Sequence, residues 1–422
     1  MGHTVAEKLL GEKAGKEVPP TAGEYVTCDI DVAMLQDVHA PDVLSGLNDI
    51  DEDISPEPEL IVVFDHVAPS HSHDDADRKA FVRSTLDQYS PTALYDVGTG
   101  ISHLVLPEKG HIRPGDLVIG TDSHTVSHGV FGAAGTGVGD TDMMYALLTG
   151  ELWFKVPPTI NIHLSGELAP HVTTKDLMLK LADQLGIGAA RYRAIEFTGE
   201  AITNLGIDDR MTLTNMSIEL GAKFAFTPVD SAVHEFLDGR VDDSSYAAHK
   251  ADPDASYERR IDIDVGILDP QVAAPHDVDN VHSVTAHEGV PIDQVFLGSC
   301  TNGSYTDLAL AAQYLEGKTV KEHTRLIVTP ASREIYQRAL ETGVIDTFIK
   351  SGATVTNPSC GACLGLGMGV LGAGERCFAT QNRNYRGRMG SSEAEIYLGS
   401  PATAATTAVA GEISDPRGYT ND

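Results

Sequence analysis

Short apolar runs alternate with turns rich in glycine and polar residues along the whole chain. The runs predict buried strands at residues 60–64, 116–120, 159–164, 194–197, 294–297 and 325–329. Helical patterns lie between them at residues 142–149, 174–185, 306–316 and 332–342, and around 216–220. Such alternation of strand and helix is typical of α/β proteins with parallel sheets.

Two breaks in this pattern suggest domain boundaries. At 422 residues the chain is too long for one ordinary core, so two or three domains are expected. A proline pair stands at Pro157 and Pro158, and residues 269–284, with two prolines and little periodicity, are predicted to be a linker. We therefore predict three domains, at residues 1–157, 158–275 and 276–422.

The charge balance excludes several classes of partner. The chain has 30 basic and 61 acidic residues, a net charge of −31, which argues against nucleic acid and anionic membranes as general partners. So acidic a surface predicts a salt-loving host. No apolar run is long enough to span a membrane, and the charged N-terminus lacks an apolar signal segment, so we expect a cytoplasmic protein.

Three of the five cysteines lie in polar, glycine-rich turns. Cys300 lies in GSCTNG at 298–303, and Cys360 and Cys363 lie in NPSCGAC at 357–363. The second motif alone also fits a dithiol redox pair or half of a zinc site. With Cys300 in the same predicted domain, three thiolates could hold an iron–sulfur cube and leave one iron without a protein ligand. Cys28 and Cys377 lie in apolar settings and are predicted to be core residues.

Polar side chains, mostly carboxylates and imidazoles, form a second signal. They stand at strand ends or turns: Asp65, His66, His103, Asp122, Ser123, His124 and Glu219. A carboxylate that fixes the tautomer of an imidazole forms a proton-transfer unit. Other histidines, His71, His73 and His128, are predicted to lie on the rim or the surface.

A basic cluster, NRNYRGR at 382–388, stands out in so acidic a chain. Its guanidinium groups suit a substrate with two or three carboxylates, although ordinary surface ion pairs are the alternative. The glycine-rich stretches at 135–139 and 365–369 lack the spacing of a dinucleotide-binding fingerprint. We expect their glycines to let the backbone pass close to the site.

Together these motifs resemble the aconitase superfamily nearly from end to end. The length resembles that of its separate large subunits, found in 3-isopropylmalate dehydratase and homoaconitase. Full aconitases carry a further swivelling domain. The resemblance implies an α/β body of three domains around a [4Fe-4S] cluster, without that fourth domain.

The resemblance also implies roles for individual residues. It implies three cluster ligands, Cys300, Cys360 and Cys363. It implies six catalytic residues, Asp65, His66, His103, Asp122, His124 and Glu219. It implies six substrate-binding residues, Gln36, Ser123, Asn215, Asn382, Arg383 and Arg388. In this scheme His66, held by Asp65, protonates a leaving hydroxyl. The other two imidazoles, paired with Asp122 and Glu219, order the water and its proton.

The implied activity is that of a hydro-lyase acting on a hydroxy di- or tricarboxylic acid. We expect isomerisation of 2-isopropylmalate to 3-isopropylmalate in leucine biosynthesis; homoaconitase or another small-acid hydratase stays open as an alternative. The family's base, a serine of the swivelling domain, would have to come from a small-subunit partner. An RNA-binding or iron-sensing relative is disfavoured by the charge. An electron carrier would need a fourth protein ligand to the cluster.

Overall fold

The computed structural model describes residues 2–50, 52–242, 246 and 248–419. A first sheet of five parallel strands has the order Ala93–Tyr95, Glu59–Val63, Val32–Gln36, Leu117–Gly120 and Ala134–Gly137. A second sheet of four parallel strands has the order Phe224–Phe226, Ala194–Thr198, Thr159–Ser165 and Arg259–Asp264.

The third sheet has seven strands, in the order Val281–Ser283, Gln271–Ala273, Glu395–Leu398, Arg376–Ala379, Gln294–Gly298, Arg325–Thr329 and Thr354–Val355. The last five are parallel to one another, and the first two run antiparallel at the edge. A separate antiparallel ribbon joins Tyr25–Asp29 to Glu151–Lys155.

Helices connect the strands of all three sheets. The α-helices are Val5–Lys13, Ala40–Ile50, His73–Thr85, Ser102–Glu108, Asp140–Thr149, Thr174–Leu185, Glu200–Thr203, Ile207–Met216, Ser231–Leu237, Ser299–Asn302, Tyr305–Leu315, Arg333–Glu341, Val344–Lys350 and Pro401–Ala410. Short 3-10 helices are Leu86–Tyr89, Ser123–Phe131, Ser217–Leu220, Val265–Ile267, Val284–Ala286, Gly361–Leu364 and Pro416–Gly418. In the described part of the chain, no helix is long and apolar enough to cross a membrane.

The predicted α/β class is confirmed, and so are the predicted strands, to within two residues at either end. The predicted helix around 216–220 is the end of Ile207–Met216 and the 3-10 turn that follows it. The predicted linker at 269–284 is wrong, because Gln271–Ala273 and Val281–Ser283 are strands of the third sheet. The three domain ranges stay a prediction, although Gln271–Ala273 pairs outside the domain expected for it.

Burial on both faces explains why the central strands read as continuous apolar runs. Every residue of Val32–Gln36 and of Leu117–Gly120 is buried, as is every residue of Gln294–Gly298. Parallel strands covered by helices on both sides have this character. Their carboxyl ends are followed by polar segments, and in such sheets ligands bind outside these ends.

Candidate active site

A cavity of about 220 Å³ lies at the carboxyl ends of strands from the first and third sheets. Eleven of the fifteen residues predicted for the site line it: Gln36, His66, His103, Asp122, Ser123, His124, Cys300, Cys360, Cys363, Arg383 and Arg388. The other four, Asp65, Asn215, Glu219 and Asn382, hydrogen-bond to lining residues from behind. The structure therefore brings the whole predicted set together.

The Asp65 and His66 pair follows the strand Glu59–Val63. Asp65 Oδ1 lies 2.7 Å from His66 Nδ1, and Asp65 Oδ2 accepts a bond of 2.8 Å from the backbone N–H of Ser102. Burial acts to lower the pKa of His66, but the nearby Cys360 sulfur and the carboxylates of Asp65 and Asp122 hold that pKa well above its usual value. With Nδ1 directed at Asp65, the Nε2 atom of His66 is left for proton transfer.

Asp122 is shared by three histidines. Its carboxylate lies 3.2 Å from His66 Nε2 and 3.1 Å from His103 Nε2, and it accepts a bond of 2.6 Å from the backbone N–H of His124. Burial acts to raise the pKa of Asp122, but these contacts hold it well below its usual value. The family resemblance implies a pairing of Asp122 with His103, and the further contact of Asp122 with His66 depends on the fold.

His124 and Glu219 form the third predicted unit, with Nε2 and Oε1 3.1 Å apart. Glu219 also forms an ion pair with Arg383, whose Nε lies 2.9 Å from Oε1. Nη2 of the same arginine donates to Ser123 Oγ at 3.1 Å. Burial acts to raise the pKa of Glu219, and its two partners outweigh this and lower it. Glu219 is thus an ionised carboxylate that connects an imidazole to a guanidinium.

Side-chain N–H groups donate to two of the three cavity sulfurs, and the Cys363 thiol also donates to Asn382 Oδ1 at 3.8 Å. Cys300 Sγ accepts bonds from Asn215 Nδ2 at 3.2 Å and from Asn382 Nδ2 at 3.4 Å. Arg388 Nη2 likewise donates to Cys363 Sγ at 3.6 Å. A sulfur that receives N–H donors is well placed to carry negative charge.

The two cysteines outside the cavity behave as ordinary buried thiols, as predicted. Cys28 donates to the carbonyl of Leu10 at 3.4 Å, and Cys377 donates to the carbonyl of Phe378 at 3.6 Å. Both side chains are fully buried among apolar residues. Burial raises the pKa of both thiols, to about 12 for Cys28.

The donor set of the cavity fits an iron–sulfur cluster. Three thiols face one cavity, and N–H groups donate to two of the three sulfurs. Burial, with Cys363 and Asp122 close by, raises the pKa of Cys300 to about 12. Three such thiolates need a bound cation to offset their charge, and a metal deprotonates a coordinating thiol.

Glycines pack directly against the backbone of the site, as the sequence predicts. A Cβ on Gly135 would lie 2.1 Å from the carbonyl oxygen of Thr125, and one on Gly367 would lie 2.0 Å from that of Gly361. Gly361, between the two cysteines of the second motif, has a φ of +57°. These positions admit no side chain without a shift of the backbone.

Sequence reasoning missed some residues of the site. Asp37 accepts bonds of 2.9 Å from the backbone N–H groups of both His66 and Val67, and its carboxylate lies 3.0 Å from Lys79 Nζ. Its position at the end of the strand Val32–Gln36 was the signal that could have found it. The surface placement of His128 is wrong, because its side chain is fully buried with its ring 5.7 Å from that of His103.

Comparisons with known proteins identify relatives along nearly the whole chain. The model of the aconitase family (aconitate hydratase) matches residues 7–411. The chain is 46% identical over 420 residues to a protein of Methanopyrus kandleri named 3-isopropylmalate dehydratase large subunit 1, covering 99% of this chain and all of that one. It is 45% identical over 421 residues to the protein of the same name from Thermotoga maritima, again covering 99% of this chain and all of that one.

A solved structure supports the fold. The holo-form of aconitase X from Thermococcus kodakaraensis superimposes with a TM-score of 0.51 over 92% of this chain and 93% of that one. At 14% sequence identity, this likeness concerns the fold alone. The match of the family model over most of the sequence, together with the full-length relatives, shows that the chain belongs to the aconitase family.

Proposed function

We propose that this chain is the large, cluster-bearing subunit of a 3-isopropylmalate dehydratase, a hydro-lyase that isomerises 2-isopropylmalate to 3-isopropylmalate in leucine biosynthesis. The full-length relatives carry that name. The observation that carries the proposal is the cavity itself, in which three thiols face a network of carboxylates and imidazoles. That combination suits removal and return of water on a hydroxy acid.

Hydroxide is a poor leaving group, so the reaction needs both a Lewis acid and a proton donor. Cys300, Cys360 and Cys363 would hold a [4Fe-4S] cluster by three corners. When bound, such a cluster supplies a Lewis-acidic iron with an open coordination position. The side chains around the thiols then bind and orient the substrate and move its protons.

We assign the proton donor to His66. Its Nδ1 is held by Asp65 at 2.7 Å, so the ring orientation is fixed and Nε2 is the atom available to a departing hydroxyl. Asp122, 3.2 Å from Nε2, stabilises the protonated ring before the transfer. The negative charge on Asp122 is itself fixed by its contacts with two other histidines.

The other imidazoles would hold the released water. His103 is oriented by Asp122 through Nε2, and His124 is oriented by Glu219 through Nε2, with its Nδ1 also 3.4 Å from Asp122. Fixed rings of this kind would keep the water in place, so that its hydroxyl adds to the neighbouring carbon while a proton goes to the carbon that lost hydroxide. This return of water is the step that turns a dehydratase into an isomerase.

Binding of the substrate carboxylates falls to the guanidinium groups, with Gln36 and Ser123 on the cavity wall. Arg383 is oriented by Glu219 and Ser123, and Arg388 lies beside Cys363. The remaining pair in the predicted substrate-binding set, Asn215 and Asn382, differs from these residues because both amides donate to Cys300 Sγ. We infer that this pair acts by orienting the sulfur.

A base must also remove a proton from the carbon next to the one that loses hydroxide. In the family this base is a serine of the swivelling domain. We therefore propose that a small subunit completes the site, in keeping with the "large subunit" in the relatives' names. The chain alone would bind a cluster without turning over substrate.

The test is to purify the chain anaerobically with its small subunit and assay 2-isopropylmalate, homocitrate, citrate and citramalate side by side. Turnover of 2-isopropylmalate by the complex, and not by the chain alone, is expected. Turnover of homocitrate with none of 2-isopropylmalate would reject the proposal in favour of a homoaconitase. Asp65→Asn serves as the inactive control, because it removes the carboxylate that orients His66.

A further inference from the structure

A buried lysine lies behind the candidate active site and takes no part in the reaction proposed above. Lys175 is the second residue of the helix Thr174–Leu185, and its side chain has no exposed surface. Its Nζ donates to the backbone carbonyls of Thr380, at 2.8 Å, and of Gln381, at 2.5 Å. A lysine is almost never fully buried unless its charge is used.

The two carbonyls belong to the segment 380–383, which reaches the cysteine turn from one side. Thr380 Oγ1 accepts a hydrogen bond of 3.0 Å from the backbone N–H of Gly298 and donates one of 3.1 Å to the carbonyl of Gly298. Gly298 comes just before the short helix that contains Cys300. The lysine therefore holds the segment at the point where it is joined to the first cysteine motif.

From the other end of the same segment, two side chains enter the site. Asn382 Nδ2 donates to Cys300 Sγ at 3.4 Å, and Arg383 Nε contacts Glu219 at 2.9 Å. Both contacts depend on the backbone one to three residues after the carbonyls that Lys175 holds. A shift of that backbone would move the sulfur donor and the guanidinium together.

The charge of Lys175 also points to the site. Burial lowers its pKa to about 7, and this shift is opposed by negative charge on Asp307, Cys363, Glu219 and Cys300. The two groups that hydrogen-bond to Nζ are neutral carbonyls. The hydrogen bonds of Nζ therefore act on the backbone of the segment 380–383 and not on a charged partner.

We propose that Lys175 is a positioning residue for the candidate active site, which fixes the segment 380–383 so that Asn382 meets Cys300 and Arg383 meets Glu219. This inference rests on the proposed function for its kinetic consequence, but not for its effect on the cluster ligands. A lysine that only filled the core would support folding and leave the sulfur environment and substrate binding unchanged.

The experiment compares Lys175→Met and Lys175→Gln with Thr173→Ala, a matched control. Thr173 and Asp176 form the capping box of the same helix, so Thr173→Ala weakens that helix without touching the segment 380–383. Each variant is reconstituted anaerobically with iron and sulfide and studied by electron paramagnetic resonance and thermal denaturation. The same preparations, with the small subunit added, give KM and kcat for 2-isopropylmalate.

We expect Lys175→Met to bind a cluster with an altered resonance spectrum, and KM to rise by about tenfold with a smaller change in kcat. The spectrum and the KM of Lys175→Gln should lie between those of this variant and the wild type, because the glutamine amide can still donate to a carbonyl. Thr173→Ala should lose thermal stability only.

A Lys175→Met protein that behaves like Thr173→Ala, with the wild-type spectrum and KM, would overturn the proposal. So would failure of both Lys175 variants to fold while Thr173→Ala folds, since that assigns the lysine to the core. If the wild type does not turn over 2-isopropylmalate, the proposed function fails, and the spectrum alone then decides the role of Lys175.

Discussion

Replacing Arg383 with lysine keeps the positive charge and removes the planar fork. The guanidinium has five N–H donors. Its Nε is used by Glu219 and one hydrogen of Nη2 by Ser123, which leaves both hydrogens of Nη1 and one of Nη2 to bind a substrate carboxylate. A lysine has three N–H donors in all, so after meeting the same two partners it has one left.

The size of the effect follows from this count. A two-pronged contact with a carboxylate becomes a single one, so the variant loses one hydrogen bond between charged groups. Such a bond contributes about 1.5–3 kcal/mol. This corresponds to a loss of roughly 10- to 150-fold in kcat/KM, at about 1.4 kcal/mol for each factor of ten.

The assay is steady-state turnover of 2-isopropylmalate by the complex with the small subunit, with thermal denaturation measured in parallel. Arg210→Lys is the control, because Arg210 is also a largely buried arginine but lies outside the cavity, where its fork donates to Asp230 at 2.7 and 2.9 Å; Arg210 is fully buried, whereas the side chain of Arg383 is 20% exposed. We expect Arg210→Lys to lose stability and keep its kcat/KM. Equal kcat/KM values for Arg383→Lys and the wild type would refute the role of Arg383 in binding a substrate carboxylate.

Three further outcomes are expected. Cys300→Ser should abolish the broad absorbance at about 400 nm of the reconstituted protein, whereas Cys377→Ser should retain it, because only the first sulfur lies at the cavity. Gly361→Ala should lower the free energy of unfolding in urea by about 1–3 kcal/mol and bind less iron, because its Cβ would lie 2.9 Å from Thr329 Oγ1. The control is Gly374→Ala, at a position with a similar φ and open space around it, which should lose less stability and bind iron like the wild type. Burial raises the pKa of Asp116 to about 7 from 3.8, so the folded state, which binds the proton more tightly, loses stability as the pH rises between those values. Urea denaturation should therefore show that the free energy of unfolding of Asp116→Asn, relative to that of the wild type, increases by roughly 1–3 kcal/mol between pH 4 and pH 8. A difference between the two proteins that does not change with pH would contradict this.

Much of the site could be predicted because parallel strands bring their carboxyl ends to one edge of a sheet. Asp65, Asp122 and Cys300 each stand two residues beyond the end of a buried strand. An apolar run followed by a polar turn is visible in a single sequence. The meeting of these residues in one cavity then follows from sheet geometry together with the resemblance of their motifs.

What could not be predicted depends on contacts between distant segments. The strand Gln271–Ala273 has only three residues, and a single pair, Ala273 with Leu398, joins it to the body of the third sheet. A run so short carries no periodicity. His128 lies in a 3-10 helix buried continuously from His124 to Phe131, so no alternation of polar and apolar positions distinguishes its ring from a surface one.

One series of contacts runs through all three sheet units and gives the site its rigidity. His124 follows a strand of the first sheet, Glu219 follows a helix that packs with the second, and Arg383 follows a strand of the third. Lys175, from a helix next to the second sheet, holds the same segment of the third unit by its backbone. Because catalysis requires atoms to be held to within a fraction of an ångström, a small shift between units should reduce turnover well before it unfolds any of them. Variants at these contacts should therefore separate activity from stability, whereas variants in the apolar cores should change both together.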